Sequence, residues 1–456
     1  MDFLGDAAVH LSNESFPMQQ NKLLLWSLTV ALGGLLFGLD VAVISGAEQT
    51  IQALWQLSDA MHGLAVSIAL YGTVIGAMTG GMIADAMGRK KSLSWVGILF
   101  FVSAVGSALA QDVYTFMFFR LIGGLSIGAS SVIAPLYIAE IAPASKRGRL
   151  VALFQFNIVF GIMLAYVSNY FFGEMGGADG WRWMLGIVGI PSLLFTVLTF
   201  FVSESPRWLA LHKQDMQAAL LVLQKIDAAS AHETLASIQS AHERNQAKTK
   251  SKFFSRAYAK PILLACLLAF FNQASGINAI IYYAPRVFEM AGLGKSAALL
   301  SSTGIGLVNL IFTMLGLSLI DKAGRRTLMY IGSIGYIVSL GLIAMAFYRD
   351  AFDGMTFFVF LFIAAHAIGQ GAVIWVFVGE IFPNEVRANG QAFGSFIHWI
   401  FAAIIANVFP IMAGAFGGGP IFLFFTVMMV LQLLYVRFMM PETKGVSLED
   451  MDVRIH

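Results

Sequence analysis

Long apolar segments alternate with short polar connections along most of the chain. About twelve segments reach the ~20 residues that a helix needs to cross the hydrocarbon core of a bilayer. They lack the two-residue alternation of barrel strands, and lipid excludes unpaired backbone groups, so we predict an all-α membrane protein. The predicted transmembrane helices lie near residues 23–46, 63–84, 93–111, 113–138, 150–172, 183–202, 261–285, 297–320, 327–348, 356–379, 390–413 and 419–440.

The longest polar interruption, residues 203–260, follows the sixth apolar segment and separates two halves of six helices each. Within it Met216, Ala219, Leu223 and Ile226 recur at helical spacing, which predicts short amphipathic helices at the membrane surface. A solvated linker and a dedicated regulatory site are both compatible with this pattern. The predicted organisation is an N-terminal segment, a first bundle, a linker, a second bundle and a C-terminal tail, at residues 1–22, 23–202, 203–260, 261–440 and 441–456.

Three short motifs of the first half return in the second half in the same order. DAMGRKKSL matches DKAGRRTL, AEIAPASKRG matches GEIFPNEVRA, and SESPRW matches MPETKG. The offsets are 236, 240 and 238 residues, so they agree to about one helical turn. This agreement indicates a duplicated six-helix unit, which is typical of secondary transporters that bind substrate between their repeats and expose it alternately to either side.

The composition supports a membrane location and excludes several functions. The chain is 58% hydrophobic and 12% charged, with a mean hydropathy of +0.76, whereas about a quarter of the residues of soluble proteins are charged. A net charge of +2 gives no reason to expect a nucleic-acid partner. The single cysteine, Cys266, excludes an internal disulfide and a cysteine-based metal cluster. We expect no cofactor or metal, and no nucleophile or nucleotide loop indicates an enzyme.

Lysine and arginine are concentrated in alternate connections, and short loops rich in these residues remain in the cytoplasm. The clusters at residues 89–91, 146–149 and 322–326 fall on the same side as the linker, so both termini are predicted to be cytoplasmic. The first 22 residues contain no basic residue before Lys22 and do not resemble a signal peptide. Short outer loops indicate the cytoplasmic (inner) membrane of a bacterium.

Seven motifs in combination resemble the sugar porter family of the major facilitator superfamily. They are GMIADAMGRKK, RLIGG, ESPRWL, NQASGINAIIYYAP, DKAGRR, GEIFP and PETKG, and the resemblance runs from about Leu23 to Leu448. It implies the fold of that superfamily, with twelve transmembrane helices in two pseudo-symmetric six-helix bundles. Its bacterial members include proton-coupled monosaccharide symporters, and its animal members include facilitative glucose carriers.

The resemblance also implies a set of sugar-binding residues inside the spans. Amide side chains donate and accept hydrogen bonds as sugar hydroxyls require, and aromatic faces suit the apolar C–H patches of a sugar ring. The carried-over set is Phe37, Gln155, Asn272, Gln273, Ile277, Asn278, Tyr282, Asn309, Trp375, His398 and Trp399. Each amide alone is also common as interhelical glue.

Three features of this set depart from the family pattern. Asn272 stands where the family usually has glutamine, and His398 stands where relatives have asparagine or glutamine. Residues 368–376 lack the prolines that often flank the tenth-span tryptophan. Because these positions set selectivity, the sequence does not name the sugar. Gly276 permits a local break in the seventh span.

Asp40 interrupts the apolar stretch GLLFGLDVAVISG in the first span. A charged group in hydrocarbon costs several kcal/mol unless it is neutralised, and Arg120 is the cation of the otherwise apolar fourth span. Burial favours the protonated acid, and a nearby guanidinium favours the carboxylate, so a change in their separation would couple a proton to the rocking of the halves. Asp40 and Arg120 are therefore the predicted proton-coupling residues. A static ion pair that only holds two helices together is the alternative.

Charged residues of the short motifs are expected at the cytoplasmic helix ends, where carboxylates and guanidiniums can pair across helices. We predict that they form a gate or salt-bridge network, since acids would be unnecessary for topology alone. A pure topology signal is the alternative. The set is Asp85, Arg89, Lys90, Glu140, Arg147, Glu204, Arg207, Asp321, Arg325, Arg326, Glu380, Arg387 and Glu442.

Together these features predict a carrier that imports a hexose or pentose with a proton by alternating access. We expect it to work as a monomer in the lipid bilayer, with a monosaccharide and a proton as its ligands. A facilitative uniporter is the first alternative, and a sugar receptor that binds without transport is the second. His366 lies inside the tenth segment, where it is either a packing histidine or a proton carrier.

Overall fold

The computed structural model describes residues 5–143, 146–246, 252–383 and 385–445, with the side chains of residues 5–21 and 244–246 outside the description. Twelve helical segments in this part of the chain are long and apolar enough to cross a membrane, which confirms the predicted all-α membrane fold. They are numbered here as spans 1 to 12: Lys22–Leu54, Asp59–Met87, Arg89–Leu109, Val113–Ile141, Arg147–Met175, Gly177–Thr199, Arg256–Met290, Lys295–Ala323, Arg325–Arg349, Met355–Glu380, Arg387–Phe416 and Gly418–Phe438.

The described residues between spans 6 and 7 form three helices, Pro206–Leu211, Met216–Ile226 and Ala231–Gln246. Apolar residues from these helices form a small core of their own, and the amphipathic helix predicted from residues 216–226 is present. We call the end of the bundle that carries this connection the linker side. The opposite end, where span 1 meets span 2, is called the far side.

In the part of the chain that the structure describes, spans 6, 7 and 10 are interrupted. Span 6 consists of the helices Gly180–Gly186 and Gly189–Thr199 after a short 3₁₀ turn. Span 7 consists of Ala259–Ala274 and Ile277–Met290, with the break at Gly276, whose φ of +82° is a left-handed conformation that suits glycine.

Span 10 is interrupted without a proline. A π-helical turn, Ala367–Gly371, separates the helices Met355–His366 and Ala372–Glu380. Such turns leave some backbone groups out of the regular helical pattern and are frequent at functional sites.

Close helix packing explains part of the high glycine content. A Cβ atom added at Gly124 of span 4 would lie 1.9 Å from the carbonyl oxygen of Ala69 in span 2, and one added at Gly128 would lie 2.2 Å from that of Thr73. In lipid, helices associate through small residues that let their backbones approach. The GGLSIG segment therefore packs span 4 against span 2.

The two halves of the molecule touch closely toward the far side. The phenol of Tyr166 in span 5 donates to the carbonyl of Ile281 in span 7 at 2.8 Å. A Cβ atom at Gly63 of span 2 would lie 2.0 Å from the carbonyl oxygen of Asn407 in span 11, so only glycine fits this approach. The two halves are therefore in direct contact toward the far side, and these contacts close the space between them at that end.

Candidate functional site

A buried ion pair joins span 1 to span 4. Nη1 of Arg120 donates to Oδ1 of Asp40 at 2.7 Å, and Nη2 donates to the backbone carbonyl of Asp40 at 3.2 Å. Both side chains are almost completely enclosed, with 3% and 1% exposure for Asp40 and Arg120. The guanidinium supplies the neutralising charge that an acid at this depth requires.

The pair leaves hydrogen-bonding capacity unused. Oδ2 of Asp40 and Nε of Arg120 are both buried and have no hydrogen-bond partner among the described residues. Gly123 borders the site, because a Cβ atom there would lie 2.4 Å from Oγ of Ser103 and 3.4 Å from Oδ2 of Asp40. A carboxylate held by one oxygen and open at the other can accept a proton without first losing all its contacts.

A chain of amides lies at the break of span 7. Nδ2 of Asn278 donates to Oε1 of Gln273 at 2.7 Å, and Nε2 of Gln273 donates to Oδ1 of Asn272 at 2.9 Å. The same Nε2 lies 3.3 Å and 3.4 Å from the two ring nitrogens of His398 in span 11. All four side chains are buried. They form a connected set of donors and acceptors at the point where the left-handed Gly276 interrupts the helix.

Aromatic rings extend this amide chain. The His398 ring lies 4.9 Å from the ring of Trp375 in span 10 and 4.8 Å from that of Trp399, between ring centroids. Trp399 lies 5.7 Å from Phe37 of span 1. We call the seven residues of the amide chain and these rings the amide–aromatic cluster: Phe37, Asn272, Gln273, Asn278, Trp375, His398 and Trp399.

Span 1 connects the cluster to the ion pair. Phe37 and Asp40 are three residues apart on one continuous helix, so they lie close to the same helix face. Phe37 contacts Trp399 of the second half, and Asp40 contacts Arg120 of the first half. A rigid helix therefore joins the charge site to the cluster between the halves.

Among the described residues, four other predicted sugar-binding residues make no side-chain hydrogen bond or ring contact with the cluster. Ile277 and Tyr282 are buried in the second helix of span 7, and the Tyr282 hydroxyl has no hydrogen-bond partner among the described residues. Asn309 of span 8 is buried and accepts a hydrogen bond from Thr313 at 3.3 Å. Gln155 of span 5 is half-buried.

The charged motifs of the first half form a network on the linker side. Nε and Nη2 of Arg89 donate to the two carboxylate oxygens of Glu140 at 3.0 Å and 2.9 Å, and Nη1 lies 3.0 Å from Asp85. Glu204 accepts from the backbone nitrogens of Arg89 and Lys90. Gly88 lies between spans 2 and 3. A Cβ atom at this position would lie 2.3 Å from Oε2 of Glu204, which explains the glycine of the GRK motif.

The second half repeats this network. Arg325 donates to both carboxylate oxygens of Glu380 at 3.1 Å and 2.8 Å, and its Nη1 lies 2.9 Å from Asp321. Glu442 accepts from the backbone nitrogens of Arg325 and Arg326. Residues related by the sequence repeat therefore make equivalent contacts, and each set of ion pairs lies within one half.

The remaining members of the predicted network differ in their contacts. Lys90 donates to the carbonyl of Phe200, Arg326 donates to two carbonyls at the end of span 12, and Arg387 donates to the carbonyl of Phe382. Arg147 and Arg207 are exposed at the starts of their helices.

Several buried or half-buried polar residues of the described chain lie outside the predicted site, and His366 and the neighbours Glu48 and His62 are among them. Nδ1 of His366 lies 2.5 Å from the hydroxyl of Tyr336 inside the second half, which fits a packing role for this histidine. Glu48 and His62 lie on the far side beside Arg286. Sequence reasoning missed them because it ended the first span at residue 46 and began the second at 63, whereas the helices continue through both positions. An acid and a histidine flanking two apolar segments were the available signal.

Comparison with known proteins identifies the family. The family model described as "Sugar (and other) transporter" matches residues 26–454, almost the whole chain. The chain belongs to this family. The expectation drawn from the seven motifs is thereby confirmed.

Relatives of this transporter are similar over nearly their full length. It is 38% identical to an arabinose-proton symporter of Bacillus subtilis (strain 168), over 94% of each chain. It is 35% identical to a D-xylose-proton symporter of Escherichia coli (strain K12), over 95% of this chain and 96% of the relative. A solved structure of the xylose transporter XylE from E. coli, in a partially occluded inward open conformation, superimposes with a TM-score of 0.83 at 34% identity. The superposition covers 94% of this transporter and 100% of XylE.

Proposed function

We propose that this protein is a monosaccharide:proton symporter that imports a hexose or a pentose by alternating access. The observation that carries the proposal is the buried Asp40–Arg120 pair, placed one helical turn from the amide–aromatic cluster on span 1. Proton and sugar sites on one rigid helix provide a direct route for coupling.

Asp40 supplies the chemistry of coupling. When a proton reaches the open carboxylate oxygen, the acid becomes neutral and the attraction to Arg120 weakens. The released guanidinium and the neutral acid then favour a different arrangement of spans 1 and 4. Return of the proton to the cytoplasm restores the ion pair and resets the carrier.

The amide–aromatic cluster supplies chemistry that suits a sugar. Gln273, Asn272 and Asn278 satisfy one another in the structure, so an entering sugar must replace these contacts with its own hydroxyls. The indoles of Trp375 and Trp399 offer flat apolar faces on either side of His398. The names of the relatives agree with this chemistry, since they are proton symporters for arabinose and xylose.

We infer from the distribution of basic residues that the linker side and both termini are cytoplasmic. The closed far side then faces the outside of the cell. We infer that the networks around Arg89 and Arg325 form the cytoplasmic gate, in which each network holds the linker-side helix ends of its own half together while the halves move relative to each other. We infer that a single chain in the bilayer is sufficient for transport.

Binding and proton movement together test this function. Purified protein is screened for binding of glucose, galactose, xylose, arabinose and fructose, and the sugar that binds is added to cells that express the carrier. A symporter alkalinises the outside medium when that sugar is added. Uptake without alkalinisation identifies a facilitative uniporter, and binding without uptake identifies a receptor.

A further inference from the structure

A second cluster of buried charges spans the two halves on the far side. Nε and Nη2 of Arg286 in span 7 donate to the two carboxylate oxygens of Glu48 in span 1, at 3.0 Å and 2.8 Å. Nε2 of His62 in span 2 lies 2.8 Å from the same Oε2 atom of Glu48. One carboxylate therefore accepts two hydrogen bonds from a guanidinium of the second half and lies next to an imidazole of the first.

Burial makes this arrangement sensitive to charge. The side chains of Glu48 and His62 are both 0% exposed, and that of Arg286 is 20% exposed. Both ring nitrogens of His62 are buried and have no hydrogen-bond partner among the described residues, so the close approach of Nε2 to Glu48 is not a hydrogen bond in this state. A charge at Glu48 must be compensated by a neighbour, since water does not reach it in this state.

The members of the cluster part when the far side opens. Glu48 and His62 belong to the first half, and Arg286 belongs to the second, so alternating access removes the guanidinium and leaves the acid beside the imidazole. A protonated His62 can then replace the positive charge that Arg286 supplied. In the closed state the same proton would be repelled by Arg286 and would leave Nδ1–H without an acceptor.

We propose that Glu48 and His62 form a second proton-binding site, at which a proton on His62 and the guanidinium of Arg286 compete for the carboxylate of Glu48. The inference rests on the proposed alternating access. Because the proton binds more tightly when Arg286 has left, acid outside the cell favours the outward-open state that takes up sugar.

The spans around His62 carry further polar groups at their far-side ends. From span 7, Tyr283 contacts the His62 ring edge-on at 5.9 Å between ring centroids but donates its hydroxyl to Ala406, and Glu289 lines a groove beside Arg286. Asp59 of span 2 accepts from Gln52. Asp112, at the start of span 4, caps its own helix. Span 11 contributes the uncharged Asn407.

The groove borders the cluster at Arg286. It lies on the far side, and Gln49, Gln52, Ala53, Arg286, Glu289 and Met290 line it. Nη2 of Arg286 also donates to Oε1 of Gln52 at 2.6 Å. The guanidinium therefore contacts both a residue that lines the groove and the buried carboxylate of Glu48. Departure of Arg286 would open the groove to Glu48 and His62.

Distance measurements by double electron–electron resonance test the proposal. Cys266 is replaced by serine, and spin labels are attached at Leu54→Cys and Phe416→Cys, which are exposed far-side positions in opposite halves. The measurements are made in the Asp40→Asn background, which removes the first proton site. Between pH 8 and pH 5.5 the ratio of long to short distances should rise at least about threefold, since one coupled proton changes it by up to about tenfold per pH unit.

Three variants decide the outcome. His62→Gln should abolish the shift, and the matched control His232→Gln, on an exposed linker position, should keep it. Arg286→Gln should give a large open fraction at both pH values, because the competitor of the proton is gone. A shift that persists in His62→Gln, or an Arg286→Gln protein that closes normally at pH 8, overturns the proposal. Sugar counterflow in the same preparations tests the transport function separately, since it requires no proton coupling.

Discussion

At the scale of single residues, the chemistry of the site depends on polar side chains inside the membrane spans. Such side chains need a partner, because an unpaired polar group in hydrocarbon is costly. Asp40 and Arg120 could be matched from sequence because they are opposite charges in two otherwise apolar spans. Glu48 and His62 could not, because they lie at segment ends, where a hydropathy pattern does not distinguish a buried group from a loop. The contacts of Gln155 and Asn309 depend on helix rotation, which composition does not determine.

Gln273 is the amide on which the amide–aromatic cluster depends. It contacts Asn272, Asn278 and His398, so Gln273→Ala removes the common partner of three buried polar side chains. We expect the KM for sugar exchange to rise at least about tenfold, which corresponds to one lost hydrogen bond of about 1.4 kcal/mol. Counterflow kinetics in proteoliposomes measure it.

Gln111→Ala is the matched control, because this glutamine is exposed in a far-side connection. It should leave the KM unchanged. Equal KM values for Gln273→Ala and wild type would show that the cluster does not contact sugar.

At the scale of helices, sequence predicted the number of spans and their order but only part of their internal structure. The break of span 7 was accessible because Gly276 stands inside an apolar helix. The π-helical turn of span 10 was not, because it contains no proline and arises where His366 and Gln370 contact buried partners on neighbouring spans. Interruptions that are imposed by tertiary contacts leave little trace in local composition.

Gly276→Ala should destabilise the protein more than the control Gly292→Ala. Both glycines have positive φ, at 82° and 86°, so each alanine costs about 1 kcal/mol or more in backbone strain. At Gly276 the new Cβ would also lie 2.5 Å from the ring of Phe425, whereas at Gly292 it would meet no atom within 4 Å. Overpacking adds about 1–3 kcal/mol.

Thermal unfolding in detergent compares the two variants. The apparent Tm of Gly276→Ala should lie clearly below that of Gly292→Ala. Equal values would mean that spans 7 and 12 do not approach each other at this point.

The helix ends on the linker side provide a second test. Arg89→Ala leaves Glu140 buried at 3% exposure without its bidentate partner, so we expect a loss of about 3 kcal/mol or more of stability. The control Arg207→Ala, at an exposed position, should change stability by less than about 0.5 kcal/mol.

The double variant Arg89→Ala/Glu140→Ala separates pairing from simple packing. Because it removes both charges, it should be more stable than Arg89→Ala alone. If the double variant were less stable than Arg89→Ala, the two side chains would not act as an ion pair. Denaturant or thermal unfolding of the purified proteins gives the comparison.

At the scale of the whole molecule, the internal repeat explains why the protein consists of two equivalent halves that can move relative to each other. The equivalent networks of Arg89 and Arg325 show that each half is built to the same plan, and the far-side contacts show where the halves meet. Sequence predicted this plan from the motif offsets. It did not predict which side is closed, because the two states of a rocking carrier share one sequence and differ by a small free energy.

In the proposed mechanism, protonation of Asp40 drives sugar accumulation. The most direct measurement compares wild type and Asp40→Asn in proteoliposomes under an imposed inward proton gradient, with counterflow as the test of an intact carrier. Wild type should concentrate the sugar, and Asp40→Asn should exchange it without concentrating it. Gradient-driven accumulation by Asp40→Asn at the wild-type level would show that Asp40 does not couple the proton to the sugar.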